Sequence, residues 1–228
     1  MAENRLYDTL LALPLFLGMS RNDLRQAAGT AKFDFQKRQP GETIVREGDS
    51  CLHLYFLLSG DIDIQTLSAD RAYCMEEDIT APEIFQPERI FGLNQHFTHT
   101  YTARGECSLM SMAKPEVMKL AGEQEIFRIN FLNLISAQVQ KNSFRQLRVP
   151  PQNLEERIIR FAETHCIRPS GEKTLHIKMT RLAEELNDSR LDISKALRRL
   201  QDEKLLSLSR GKIHIPALEK LLNRQQNL

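Results

Sequence analysis

Between Lys178 and Leu200 the chain places its cations at helical spacing, in the pattern Thr180-Arg181 … Ser189-Arg190-Leu191 … Ser194-Lys195 … Arg198. Arginine and lysine can donate to O6 and N7 of guanine, which makes Arg190 and Lys195 candidate base readers. Leu191 between them has no polar atom and could meet only the methyl of thymine. At 100° per residue Ile193, Ala196, Leu197 and Leu200 share one face of a helix, and Leu191, Ser194, Lys195 and Arg198 share the opposite one. Ser189-x-x-Asp192 has the form of a capping box, so the helix should begin at Ser189 and end near Leu200. Ser189 and Arg190 then stand beside free backbone N–H groups that favour phosphate.

Before that helix, Leu182, Ala183 and Leu186 form a short apolar face. The small Ala183 lets a second helix cross closely, and Asn187 tolerates a left-handed turn. After it, Leu205 to Ile215 predicts two short strands around Arg210-Gly211-Lys212, with Arg210 and Lys212 on phosphates. Surface Arg and Lys on an amphipathic helix are ordinarily a solvated face, but here turn, cap, face and hairpin agree. The pattern predicts a winged helix-turn-helix that touches DNA through Thr180, Ser189, Arg190, Leu191, Ser194, Lys195, Arg198, Arg210 and Lys212.

Other residues could carry metal chemistry. His53, His96 and His99 are candidate iron ligands, although a lone histidine is more often structural. His96-x-x-His99 offers two ligands to a cupin-like metal enzyme, but such sites usually need His-x-His with a carboxylate and a further His. Cys51, Cys74, Cys107 and Cys166 are scattered, with no pair spaced for zinc or an iron–sulfur centre, and read as thiols in a reducing cell.

The elements that hold these residues follow from the rest of the chain. Its 228 residues are 41% hydrophobic, enough for one large domain or two modest ones. No apolar run is long enough to cross a membrane, and the first residues lack the form of an export signal, so a cytoplasmic protein with no membrane partner is expected. The charge is uneven: residues 1–149 carry 16 Lys+Arg against 19 Asp+Glu, and residues 150–228 carry 15 against 11, giving −3 and +4. A basic C-terminal part suits a phosphate partner.

From Phe33 to about Met112 short apolar runs alternate with turns such as Pro40-Gly41-Glu42 and Glu47-Gly48-Asp49. Leu54 to Leu58, the turn Ser59-Gly60-Asp61 and Ile62 to Ile64 predict two strands around a tight turn in a small jelly roll. From about Gln124 to Leu147 there is no Gly or Pro, which predicts one long helix. Ile126, Phe127, Phe131, Leu134, Ile135 and Val139 would form its stripe, continued by Gln138, Asn142 and Arg145. Such a stripe could pack on the roll or form a dimer seam. Pro150-Pro151 ends the helix, and Asn153 can cap the next. The domains are therefore placed at 1–148, with the long helix at about 115–148, and 149–228.

This order of parts resembles the Crp/Fnr family (cyclic-AMP receptor protein and fumarate–nitrate regulator) over almost the full length. The matching residues are Pro40-Gly41-Glu42, Glu47-Gly48-Asp49, Leu54 to Gly60, the long helix, and Thr180-Arg181 with Ser189-Arg190. The resemblance implies an α+β protein: a cyclic-nucleotide-binding-type β jelly roll, a long dimerisation helix and the winged C-terminal domain. It further implies a homodimeric, non-enzymatic transcription regulator on palindromic double-stranded DNA, with RNA polymerase as a partner. The effector would lie near Gly92, Asn94, His96 and Thr98, with Asn142 and Ser143 reaching it from the long helix or simply setting its register.

The chain departs from the family in three places. Nucleotide-binding members carry a Glu and then an Arg-Ser pair after the Phe-Gly turn, but Phe91 to His99 has neither, so cyclic AMP is not expected to bind in the familial way. The cysteine cluster of the oxygen-sensing branch is missing, which argues against its iron–sulfur cluster; haem on one of the three histidines stays open. Leu191 stands where members reading a guanine-containing half-site often carry Glu, so the half-site should differ. A winged domain that binds protein is the third reading, and salt-dependent DNA binding separates it from the first.

Overall fold

In a computed structural model, residues 2–147 and 149–224 are described, apart from the side chains of 2–6, 145 and 146. Arg145, expected at the end of the helix stripe, therefore lies outside the described side chains. The chain forms two compact units, Met1–Ile62 with Ile79–Arg148, and Asp63–Asp78 with Val149–Leu228.

The first unit opens with helices α1 (Ala2–Ala12) and α2 (Arg21–Thr30), joined through a 3-10 turn at Pro14–Phe16. Ser20 caps α2: its hydroxyl accepts from the Asp23 backbone, and its own N–H donates to the Asp23 carboxylate at 2.7 Å. Strands β1 (Asp34–Arg38), β2 (Thr43–Val45) and β3 (His53–Ser59) follow. Then come β4 (Asp61–Leu67) and β5 (Tyr73–Thr80), whose outer residues 63–78 belong to the second unit. Strands β6 (Glu83–Phe85), β7 (Thr100–Ala103) and β8 (Cys107–Ala113) complete the roll.

One sheet runs β1-β8-β3-β6, and β2 pairs with β7. The tight turn expected after Leu58 is present at Gly60, yet β3 pairs with β8 and β6 rather than with β4. Gly60 has φ +93°, and a Cβ there would lie 2.7 Å from the Glu106 carbonyl, so both conformation and space require glycine. Phe16, Phe56 and Phe127 meet in the core, with ring centroids 5.5 to 5.7 Å apart from Phe16.

After β8 the chain is not one helix. Helix α3 (Lys114–Glu123) ends at Gln124, whose extended backbone separates it from α4 (Glu125–Gln146). Helix α4 matches the long helix read from about Gln124 to Leu147, while the wider span of about 115–148 is divided at Gln124, two residues after Gly122. The stripe is also divided. Phe127 is buried, and Phe131 packs edge-on against Phe91 at 5.8 Å. Ile129, Leu132 and Val139, of which only Val139 was in the expected stripe, are 46 to 59% exposed.

The second unit holds α5 (Leu154–Thr164), β9 (Lys173–Ile177), α6 (Met179–Glu185), α7 (Arg190–Asp202), β10 (Ser207–Ser209), β11 (Lys212–Ile215) and α8 (Leu218–Arg224). Asn153 caps α5 by accepting from the Glu156 backbone at 2.9 Å. Its sheet runs β10-β11-β9-β5-β4, so the strands from 63–78 extend it. The expected division at 148/149 omits this strand pair. Met75 of β5 is fully buried in the same core as Leu175, Leu182, Ile193 and Leu197.

Candidate nucleic-acid interface

Helices α6 and α7 are joined as their residue types require. Leu182 and Ala183 are buried against Ile193, Ala196, Leu197 and Leu200 of α7. Asn187 takes φ +48°, the left-handed conformation that asparagine tolerates. From α5, Arg157 donates to the Leu186 carbonyl at 2.8 Å and pairs with Asp188, clamping the turn from below.

Ser189 is the N-cap of α7, which begins at Arg190, one residue later than expected. The capping box is half formed. The Ser189 hydroxyl accepts from the Asp192 N–H at 3.1 Å and donates to its carboxylate at 2.7 Å, while the Ser189 N–H turns to Asp188. These bonds hold the Asp192 carboxyl below its ordinary range, the Ser189 hydroxyl first and the Lys195 ammonium next.

Arg190, Leu191, Lys195 and Arg198 are exposed and Ser194 is half-buried, while the opposite side of α7 is buried. Leu191, at 65% exposure, projects from the same face. Lys195 Nζ lies 3.3 Å from Asp192 and Arg199 is 3.1 Å from Glu155, so the cations differ in how freely they can reach a partner. Thr180 is exposed at the start of α6. Beyond α7, β10 and β11 pair through Leu208 and Ile213, with Gly211 at φ +73° in their turn. Arg210 and Lys212 are exposed on either side of it.

The effector candidates of the first unit are more dispersed. Gly92 (φ +92°), Asn94 and His96 lie on an exposed turn, where His96 Nδ1 is 3.4 Å from Asn94. Asn142 and Ser143 are exposed on α4. Thr98 instead is half-buried: its hydroxyl accepts from Gln86 Nε2 and lies 3.4 Å from His99 Nε2, and its N–H donates to Gln86 Oε1 at 3.0 Å. Beside it, His99 is held to a pKa of about 4, by burial first and by the charge of Arg89 second. The rings of Phe85 and Tyr101 stack 4.3 Å apart in the same interior.

Arg89 escaped the sequence reading, which looked for a cation only after Phe91-Gly92. It stands on a 3-10 turn, Pro87–Arg89, and its buried Nε has no hydrogen-bond partner. The lack of Arg between Phe91 and His99 therefore does not leave that loop without a nearby positive charge. Of the other histidines, His53 begins β3 and is exposed. Among the described residues, no three His, Cys, Asp or Glu side chains converge to hold a metal ion. Cys51, Cys107 and Cys166 are buried free thiols, and burial raises Cys51 to about 11. No helix among the described residues is long and apolar enough to cross a membrane.

Comparison with known proteins bears on this arrangement. Residues 35–124 match the cyclic nucleotide-binding domain. A protein described as a transcriptional regulator of the Crp/Fnr family from Eubacterium rectale superposes with a TM-score of 0.54 at 21% identity, covering 93% of this chain and 98% of that one. The fold is that of the Crp/Fnr regulators. The c-di-GMP-responsive global regulator CLP of Xanthomonas campestris gives a TM-score of 0.51 at 15% identity, over 86% of this chain and 99% of its own. The sensor domain of the regulator DNR from Pseudomonas aeruginosa gives 0.52 at 18% identity, over 68% and 100%. No curated protein is matched by sequence. These three neighbours are each described as regulators.

Proposed function

We propose that the chain is a sequence-specific DNA-binding transcription regulator in which residues 149–224 act as a winged helix-turn-helix. The observation that carries this reading is α7: one face is buried, and the other presents Arg190, Leu191, Lys195 and Arg198 to solvent behind a Ser189 cap. Such a helix fits the major groove with its first residues at base edges. Arg190 reads guanine, Leu191 rests on a thymine methyl, and Thr180, Arg210 and Lys212 hold the backbone.

The protein works as a homodimer on a palindromic site. Ile129, Leu132 and Val139 are exposed on α4 at seam spacing, and burying them against a second copy would remove apolar surface from water. An effector in the first unit sets the spacing of the two recognition helices. That effector is not cyclic AMP held by the usual phosphate contacts, because the residues after Phe91-Gly92 do not supply them. A haem-sensing variant of the same design is tested by absorbance after reconstitution: an unshifted Soret band removes it.

Selection from random oligonucleotides tests the main proposal. The expected result is a two-fold symmetric site whose half-sites lie about one helical turn apart. Recovery of no sequence preference by a chain that remains folded and dimeric contradicts it. Calorimetry that found tight cyclic AMP binding would contradict the effector reading.

A further inference from the structure

The sheet of the second unit is completed by a strand pair from far earlier in the chain. Over five residues β5 runs antiparallel to β9, pairing Tyr73 with Ile177, Cys74 with His176, Met75 with Leu175, Glu76 with Thr174 and Glu77 with Lys173. Residues 62 and 79, on either side of this segment, belong to the first unit. The segment is acidic, with Asp63, Asp70, Glu76, Glu77 and Asp78 against Arg71 alone. Its net −4 equals in size the +4 of residues 150–228, so the assembled unit has no net charge to attract phosphate from a distance, although its cations stay exposed.

The contacts are specific. Asp70 lies 2.8 Å from Arg181, the α6 residue next to Thr180, which Glu184 and Glu185 also hold. Glu76 meets His176 at 2.6 Å, and the Tyr73 hydroxyl meets His165 at 2.9 Å. At the centre, Glu77 and Lys173 form an ion pair at 3.2 Å with both side chains 1% exposed. Glu77 also accepts from the backbone N–H groups of Ile167 at 2.7 Å and Arg168 at 3.3 Å, and Lys173 donates to the Ser170 carbonyl at 2.6 Å.

A buried ion pair stabilises little compared with an apolar pair of the same size, because both charges lose water. It does select a single register, since a slip by one residue would turn Glu77 to the other face of the sheet. It also lets the contact open without exposing a wholly apolar surface, because both groups regain water on separation. The core residue contributed by the segment, Met75, is a flexible and adaptable one.

We infer that residues 63–78 are an autoinhibitory strap: docked on β9, they cancel the positive charge of the DNA-binding unit and hold Arg181, and their release restores attraction to DNA. This rests on the DNA-binding reading above. The strap is covalently continuous with the roll through residues 62 and 79, so a change of state there can reach α6 without passing along α4.

The register supplies a test. Cys74, the one native cysteine that is not buried, stands opposite His176, so His176→Cys in the full chain can be oxidised to lock the strap. His176→Ser controls for the loss of the Glu76 contact. With a mixed-sequence 30-base-pair duplex at low salt, the locked form is expected to bind at least tenfold more weakly than the same protein after reduction. The Ile167 amide should exchange more slowly in the locked form. As a second variant, Asp70→Asn should tighten binding about threefold while Asp202→Asn, at the far end of α7, changes it less. Equal or tighter binding by the locked form, or equal effects of the two Asn variants, overturns the strap alone. No binding in either redox state overturns the DNA-binding reading and the strap with it.

Discussion

In the first unit the rings of Tyr55, Phe85, Phe97 and Tyr101 gather in the roll, whereas the second unit packs a mostly aliphatic core around the single buried ring of Phe161 and leaves Arg190, Lys195, Arg198, Arg210 and Lys212 in solvent. The buried charges differ as well. The interior of the roll keeps His99 neutral beside Arg89, while the second unit neutralises Lys173 with Glu77. The contrast separates two tasks: side chains turned inward suit a unit that encloses or senses something small, and cations turned outward suit one that meets a polyanion.

The largest effect that would break this comparison is at the buried pair. Lys173→Met leaves the Glu77 carboxylate buried without its counter-charge and should destabilise the second unit by about 3–5 kcal/mol in urea unfolding. Combining it with Glu77→Gln should recover much of the loss. A single variant as stable as the parent would show that the pair is not buried in solution.

Next in size is Arg190→Ala, which should cost about 1–3 kcal/mol of binding to a selected site and relax the preference at one base position. A uniform loss over all sequences would make Arg190 a phosphate contact instead.

A pH titration sharpens the first half of the comparison. Because His99 has a folded pKa of about 4, below its ordinary 6.5, the unfolded chain binds the extra proton between these values. Stability should therefore be complete above about pH 6.5 and fall as pH drops towards 4, with His99→Gln flattening that part of the curve. An unchanged slope in the variant would assign the loss to other groups. The smallest effect is at the cap, where Ser189→Ala should cost about 1 kcal/mol by thermal unfolding.

How far these features were legible depended on the range of the interactions that make them. The faces of α7 follow from 3.6-residue periodicity within one helix, and Asn187 announces its turn by its own backbone preference. The cap was read in half: Ser189 and Asp192 were visible, but the competing acceptor Asp188 was the neighbour that took the backbone N–H. The start of α4 at Glu125 was legible because no Gly or Pro lies between Gly122 and Pro150, whereas the separate helix α3 was merged into the wider span.

Membership of residues 63–78 in the second unit could not be read at all. Met75 and Glu77 share one face, as every second residue of any strand does, and the partner strand lies about a hundred residues on, with Glu76 and His176 separated by 100 positions. Arg89 was missed for a related reason, because spatial neighbours of the Phe91-Gly92 loop need not follow it in sequence.

The central claim is that the second unit meets DNA phosphates through its outward cations. Measuring the affinity of the full chain for a selected duplex across a salt series tests it most directly. We predict a linear fall of log affinity with log salt concentration, with the slope reduced by about 1 for each of Arg210→Gln and Lys212→Gln. A flat salt dependence, or slopes unmoved by both variants, would contradict it.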